Sequence, residues 1–269
     1  VAEIGIGITG CAGKMGRMLV AEIAATPGAR IVAGIEAPSN PALGRDLGEL
    51  AGIGAIGVAA GDDPETLFQT ADVVIDFSTP AAGVLSARLA ARHNKPLLLG
   101  TTGLSAEQGE AVRTAATIVP IVWPPNTSLG VTLMLALVED AARRLGSDWD
   151  IEIVEMHHHH KVDAPSGTAL ALGQAAALGR GIDLASESER GRDGVTGARR
   201  QGTIGFAALR GGDIAGDHTV IFAGAGERLE FTHRAASRQI FAKGAVTAAL
   251  WLGRGQPPGL YGMKDVLGL

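Results

Sequence analysis

The sequence predicts an α/β protein in two parts: a parallel sheet wound with helices, then an α+β domain with a mixed or antiparallel sheet. Three observations predict it. Over the first 128 residues short apolar runs alternate with helix-periodic ones, as βαβ units require. Beyond Trp149 the strand-like runs follow one another with few crossovers. The 39 glycines and few aromatic residues point to many tight turns and close backbone approaches.

The elements follow in order. Ile4, Ile6 and Ile8 alternate with small residues, as in a strand near a sheet centre. Gly10-Cys11-Ala12-Gly13-Lys14-Met15-Gly16 comes next, then a helix to about Ala25 and a strand Ala29 to Ile35 ending at Glu36. The string Gly5-x-Gly7-x-x-Gly10 matches the dinucleotide fingerprint, but its first two glycines lie inside the strand. The turn expected to work is Gly10-x-x-Gly13-x-x-Gly16, where N–H groups at a helix start can face a pyrophosphate. Glu36, twenty residues beyond Gly16, is expected to accept from a ribose diol, which makes the first part a Rossmann-type domain.

Strands are then expected over Asp72–Phe77, Lys95–Leu99 and Ile118–Trp123, with helices through about Arg92 and over Ser105–Ala115. Phe77, Gly100-Thr101-Thr102 and Pro124-Pro125-Asn126-Thr127 fall at the carboxyl ends of these strands, the edge where open parallel sheets bind ligands. Singly each is an ordinary turn; together they favour a shared crevice. A helix Val131–Leu145 precedes strands at Trp149–Met156, Ile204–Arg210, His218–Phe222 and Leu229–Arg234, with a helix at Ser166–Leu178 among them. Gly179–Gly202 reads as a flexible or excursion loop. The last helix, Ser237–Leu252, is expected to return to the first domain, giving residues 1–128 with 237–269 as one domain and 129–236 as the other.

Composition narrows the function. A net charge of −5 argues against a nucleic-acid partner, and no apolar run reaches membrane-spanning length. The start, Val1-Ala2-Glu3, lacks a signal peptide's basic and apolar regions, so a cytoplasmic location is expected. One cysteine, Cys11, excludes an internal disulfide; it fits the glycine turn as a small residue, with no base beside it. The densest chemistry lies in Glu155-Met156-His157-His158-His159-His160-Lys161-Val162-Asp163-Ala164-Pro165-Ser166-Gly167-Thr168. Lys161 and the helix start at Ser166-Gly167-Thr168 supply positive charge and N–H donors for an acidic ligand. A histidine, or an ammonium held close, suits protonation after hydride transfer. If the strand persisted through the tract, His157 and His159 would face away from His158 and His160, so no metal is expected. Asp163 is expected to cap the turn rather than hold Lys161. His218 and His233 read as satisfied structural histidines, and Arg238 as a salt-bridge partner at a helix start.

These motifs, with Val74-Ile75-Asp76-Phe77, Arg210-Gly211-Gly212-Asp213-Ile214, Gly216-Asp217-His218-Thr219 and the tail from Leu260, resemble the 4-hydroxy-tetrahydrodipicolinate (dihydrodipicolinate) reductase family nearly end to end. The resemblance implies NADH- or NADPH-dependent reduction of a cyclic dicarboxylate in diaminopimelate and lysine biosynthesis, by a cytoplasmic homotetramer that associates through the second domain. It implies His157 and Lys161 as catalytic, His158, Gly167 and Thr168 with Ser166 at the substrate, and Gly10–Gly16, Glu36, Phe77, Gly100–Thr102 and Pro124–Thr127 at the cofactor. Ala37 departs from the pattern, since many members place arginine there to meet a 2′-phosphate, and Thr79 is a second such loss; NADH should serve at least as well as NADPH. The rival readings are an aspartate or homoserine dehydrogenase of similar layout and a nicotinamide-sensing regulator without turnover. The His157–Thr168 string separates the first, and the His–Lys cluster would be idle in the second.

Overall fold

The computed structural model describes residues 3–269. The chain divides into two compact units, one running to Ser128 and resuming at Gln239, the other running from Leu129 to Arg238.

The first unit winds β1 (Ile4–Thr9), α1 (Lys14–Ala25), β2 (Ala29–Ile35), α2 (Leu47–Ala51), β3 (Ala60–Gly61), α3 (Pro64–Thr70), β4 (Val73–Asp76), α4 (Pro80–His93), β5 (Leu97–Leu99), α5 (Ala106–Ala116) and β6 (Pro120–Val122). All its strand pairs are parallel, in the order β3-β2-β1-β4-β5-β6, with one more strand beyond β6. Burial explains the apolar runs: Ile6, Ile8, Val74 and Leu98 are fully enclosed, as in strands covered on both faces. The helix ends are written locally. Thr79 caps α4 with Pro80 in its first turn, and Asn94 closes it in the left-handed region at φ 54°. Ser105 and Gln108 form a reciprocal cap on α5.

The second unit holds α6 (Leu129–Leu145), β7 (Asp150–His157), α7 (Gly167–Arg180), α8 (Leu184–Glu187), β8 (Ser188–Glu189), β9 (Ile204–Arg210), β10 (Gly216–Gly224) and β11 (Glu227–Ala235). Its sheet runs β11-β10-β7-β9-β8 and is mixed: β7, β9 and β8 are parallel, while β10 opposes β7 and β11. One face buries Ile151, Ile153, Phe206, Val220 and Phe222 against α6 and α7 through Met134, Val138, Leu172 and Ala176. Each large side chain enclosed this way is worth about 1.5–3 kcal/mol relative to exposure. On the other face the register lines up Leu209–Met156–Asp217–Arg234 and Ala207–Val154–Thr219–Thr232. Leu209 is exposed there, and Val154, Met156 and Ile221 are only half-buried.

Gly179–Gly202 is not a plain loop. It contains the end of α7, then α8 and β8, and its exposed remainder is tied back by arginines. Arg199 donates to Asp150 (2.7 Å) and Glu152 (2.8 Å), and Arg192 to Glu152 (2.9 Å) and Glu189.

The chain then returns to the first unit as α9 (Gln239–Leu252), β12 (Gly259–Tyr261) and α10 (Met263–Leu267). The helix expected at Ser237–Leu252 is α9; it starts at Gln239, two residues later than the sequence predicts, and packs on α1 and β4–β6, and the shorter α10 follows it. Strand β12 pairs in parallel with β6 and makes the sheet seven-stranded.

Candidate active site

Strand order places the first candidate site. Sequence continues outward from β1 in both directions, through β2 on one side and β4 on the other, so the sheet has its switch point between β1 and β4. A cavity of about 530 Å³ opens there, bordered by Thr9 at the end of β1 and Gly10 after it, Glu36 after β2, and Phe77 and Ser78 after β4.

The glycine turn has the form its positions demand. Gly10 has φ +80°, and a Cβ there would come 2.6 Å from the Phe77 carbonyl oxygen. At Gly16 a Cβ would overlap the Gly10 carbonyl and the Cys11 backbone, so only glycine lets α1 lie this close to its turn. Gly13 caps α1 without a side-chain hydrogen bond. Gly5 and Gly7 lie inside β1. Thr9 borders the cavity, and its buried Oγ1 has no hydrogen-bond partner among the described residues. A cradle of backbone, an uncapped helix start and an orphaned hydroxyl fit a bound dinucleotide.

Glu36 is more constrained than the sequence indicates. Its Oε1 accepts the Ala12 N–H at 2.8 Å and its Oε2 the Asn40 amide at 3.1 Å, so the carboxylate also braces the turn. Burial, with Glu36 adding to it, pushes the Cys11 thiol up to about 12 and leaves it inert. Lys14 is exposed and Met15 half-buried on the first turn of α1.

Asp76, to which the sequence assigns no role of its own, organises the next edge. Fully buried, it accepts from Ser78 Oγ (2.7 Å), Thr101 Oγ1 (2.7 Å) and Ser86 Oγ (2.6 Å), while Thr101 also accepts the Ser78 N–H. Burial raises its carboxyl above the usual range even though each hydroxyl pulls the other way. The Phe77 ring lies against Gly100, where a Cβ would collide with it. Phe77, Gly100 and Thr101 are thus brought together. Thr102 is exposed beside them, and Pro124–Thr127 close β6, with Thr127 Oγ1 bonded to the Phe241 carbonyl (2.8 Å); none of these borders the cavity.

In the second unit the strand stops at His157, so the alternation expected through the tract does not apply. The chain turns instead: His158 N–H donates to the Ile214 carbonyl (2.8 Å), His159 N–H to Gly212 (3.3 Å), and Lys161 N–H back to His158 (3.1 Å). The His159 and His160 rings meet at a tilt of 54°, with centroids 3.9 Å apart. His158 is held below the usual histidine range, first by desolvation and then by the Arg238 charge. Among the described residues Arg238 makes no ion pair, contrary to expectation, and it lies outside α9.

Glu155, buried to 1% exposure, sits under this turn. Its Oε2 pairs with His157 Nδ1 (2.7 Å) and Arg210 Nη1 (2.8 Å), and its Oε1 with Arg210 Nη2 (2.9 Å) and the Ser166 N–H (3.1 Å). Burial alone would raise this carboxyl, but Arg210 and then His157 outweigh it and hold it below the usual range. Neither Glu155 nor Arg210 is assigned a role from sequence, although both lie in motifs that carry the family resemblance.

Asp163 holds Lys161 Nζ at 2.8 Å instead of capping the turn, and Lys161 in turn keeps Asp163 ionised to lower pH. The cap of α7 is Ser166, which accepts the Ala169 N–H (3.2 Å) and hydrogen-bonds His218 Nε2 (3.0 Å). Both of its polar groups are therefore committed inside the fold. Gly167 is exposed at the first turn of α7, with Thr168 half-buried beside it. Burial, then the neighbouring His157, pushes His218 down to about 4. His218 and His233 are not fully satisfied: Nδ1 of each is buried without a partner among the described residues.

Comparison with known proteins agrees along the whole chain. The family model for the N-terminus of dihydrodipicolinate reductase matches residues 4–127, and that for its C-terminus matches residues 130–267. The chain is 55% identical to 4-hydroxy-tetrahydrodipicolinate reductase 1 of Mesorhizobium japonicum over 99% of its own length and 98% of the relative's. It is 56% identical to the Methylocella silvestris reductase, covering 97% and 96%. Among solved structures, dipicolinate-bound dihydrodipicolinate reductase from Paenisporosarcina sp. TG-14 aligns with a TM-score of 0.78 at 25% identity, over 98% of both chains.

Proposed function

The chain belongs to the dihydrodipicolinate reductase family, and from that premise we propose how its residues divide the work. It is an oxidoreductase that reduces 4-hydroxy-tetrahydrodipicolinate to tetrahydrodipicolinate in diaminopimelate and lysine biosynthesis, with NADH or NADPH. The net change replaces a hydroxyl by hydrogen, which consumes one hydride and one proton and releases water. The bound nicotinamide supplies the hydride.

The first unit holds the cofactor. The turn Gly10–Gly16 offers backbone N–H groups to the pyrophosphate, Glu36 faces the ribose, and Phe77, Gly100–Thr102 and Pro124–Thr127 complete the carboxyl edge of the sheet. The second unit holds the dicarboxylate and moves the proton. Lys161 donates the proton, and His157 presents Nε2 to the negative charge that hydride addition leaves. The first turn of α7, at Gly167 and Thr168, receives a carboxylate, with His158 beside it and Ser166 fixing the turn. One observation carries this reading: the Glu155 carboxylate binds His157 Nδ1 and the Ser166 N–H together, which joins the proton-handling group to the anion-binding helix start. A coupled assay with freshly generated substrate, followed by nicotinamide absorbance, tests it; no turnover would end it.

Cofactor choice follows from the acid at the end of β2. Glu36 remains, Ala37 is exposed, and among the described residues no basic side chain borders the cavity. A 2′-phosphate therefore meets a carboxylate without a guanidinium to offset it. Steady-state kinetics should give a kcat/KM with NADH at least equal to that with NADPH, and a tenfold preference for NADPH would refute this.

The reading also includes a cytoplasmic homotetramer associated through the open face of the second sheet. No described helix is long and apolar enough to cross a membrane. The face carrying Leu209, Met156, Val154 and Ile221 is apolar at its centre and ringed by charge, as an interface is. Size-exclusion chromatography with light scattering on the soluble fraction should find activity at four times the chain mass, and Ile221→Arg should lower that mass. An active monomer would contradict it.

A further inference from the structure

We propose that Glu155 and Arg210 are positioning residues for proton transfer, fixing His157, Lys161 and the start of α7 as one assembly. The inference rests on the roles just given to His157 and Lys161.

Register brings the two residues together across 55 positions of sequence. Strands β7 and β9 are parallel neighbours, with His157 beside Arg210. From there the guanidinium forks onto Glu155, and the second N–H of each Nη reaches a carbonyl. Nη1 also donates to Leu209 (2.6 Å), and Nη2 to Asp163 (2.7 Å). The second of these reaches the loop that holds Lys161, because the Asp163 carboxylate binds the lysine ammonium. Glu155 meanwhile fills all four of its lone-pair directions: two from Arg210, one from His157 Nδ1 and one from the Ser166 N–H.

Each bond has a consequence at the site. With Nδ1–H committed to the carboxylate, the imidazole has one tautomer when neutral, and Nε2 is the atom left to act. Nε2 lies beside Gly216, where a Cβ would come within 2.9 Å, so the backbone gives that nitrogen room. The groups around His157 are Glu155 on its own strand, Arg210 on β9, His218 on β10 at a ring separation of 5.1 Å, and His158, Lys161 and Asp163 in the turn. Of these, only Glu155 and Asp163 are anionic, and only Glu155 bonds the ring. A buried ion pair kept only for stability needs neither the His157 bond nor the Asp163 carbonyl. Well-packed apolar residues commonly replace such pairs at no loss.

The test uses Glu155→Gln and Arg210→Lys in the full-length enzyme. Glu155→Gln should lower kcat about 100-fold while Kd for NADH, read by fluorescence titration, stays unchanged. Without the carboxylate nothing holds Nδ1–H, so the neutral ring can present either tautomer, and the loss should fall on kcat more than on KM for the dicarboxylate. Arg210→Lys keeps the charge and loses the fork. It should lower kcat about tenfold and raise KM for the dicarboxylate, since the turn bearing Lys161 and α7 is no longer pinned. If both variants turn over at the wild-type rate with unchanged KM for the dicarboxylate, the pair is structural and the inference fails. If Glu155→Gln does not fold, Arg210→Lys decides alone. His157→Gln separates the two layers: full activity there overturns the role of His157 itself. An inactive His157→Gln beside fully active Glu155→Gln and Arg210→Lys overturns only the positioning.

Discussion

Replacing Lys161 with alanine should lower kcat by about 10²–10⁴-fold, the usual worth of a positioned acid in proton transfer. Its side chain is only 20% exposed and its Nζ lies 2.8 Å from Asp163, so the ammonium is held in place before substrate arrives. Removing it leaves the cofactor cradle untouched, because every residue bordering that cavity belongs to the other unit. Kd for NADH should therefore match wild type in a fluorescence titration. Lys161→Arg sharpens the point: guanidinium keeps the charge but does not release a proton near neutral pH, so kcat should stay low while KM for the dianion recovers. Turnover within threefold of wild type in Lys161→Ala would remove this residue as the donor.

The second large effect is expected at Gly16. A Cβ there runs into the Gly10 carbonyl and the Cys11 backbone, and backbone cannot rotate aside as a side chain can. Overpacking of this kind costs about 1–3 kcal/mol. Here the cost falls on the turn proposed to meet the pyrophosphate, because relief requires Gly10 to move. Gly16→Ala should weaken NADH binding by about 10–100-fold, measured by calorimetry, with the far-ultraviolet circular dichroism of the fold retained. Unchanged NADH affinity would show that the glycine turn does not bind the cofactor.

Both sites were legible to different depths, for physical reasons. The opening βαβ unit stands out because a buried strand, a glycine turn and an amphipathic helix each leave a local pattern within some thirty residues. The placement of the glycine turn at Gly10–Gly16 rather than Gly5–Gly10 follows from the same locality, since Gly5 and Gly7 must alternate with the buried isoleucines of β1. The short strands β3 and β12 escape sequence reading, with two and three residues each, because so few positions carry no periodicity. Asp163 was misassigned because an aspartate before Pro-Ser-Gly has a good local explanation as a cap. A lysine two residues away outcompetes it only once the turn is formed. Glu155 and Arg210 lay beyond reach for a third reason. Their pairing depends on which strands lie side by side and in what register, which no local window contains. Asp76 is the same case in the first unit, its three hydroxyl partners coming from two turns and a helix.

The return of the chain to the edge of β6 has a consequence for how the protein is made. Synthesis runs from the amino terminus, so six strands of the first sheet emerge early, then the whole of the second unit, and only afterwards α9 and β12. The inserted unit has its entire sequence available while its host still lacks a helix and an outer strand. Until α9 and β12 have followed, β6 is left with a bare edge, and α1 and β4–β6 lack the helix that packs on them. α9 and β12 thus close a sheet whose other six strands precede the second unit in the chain.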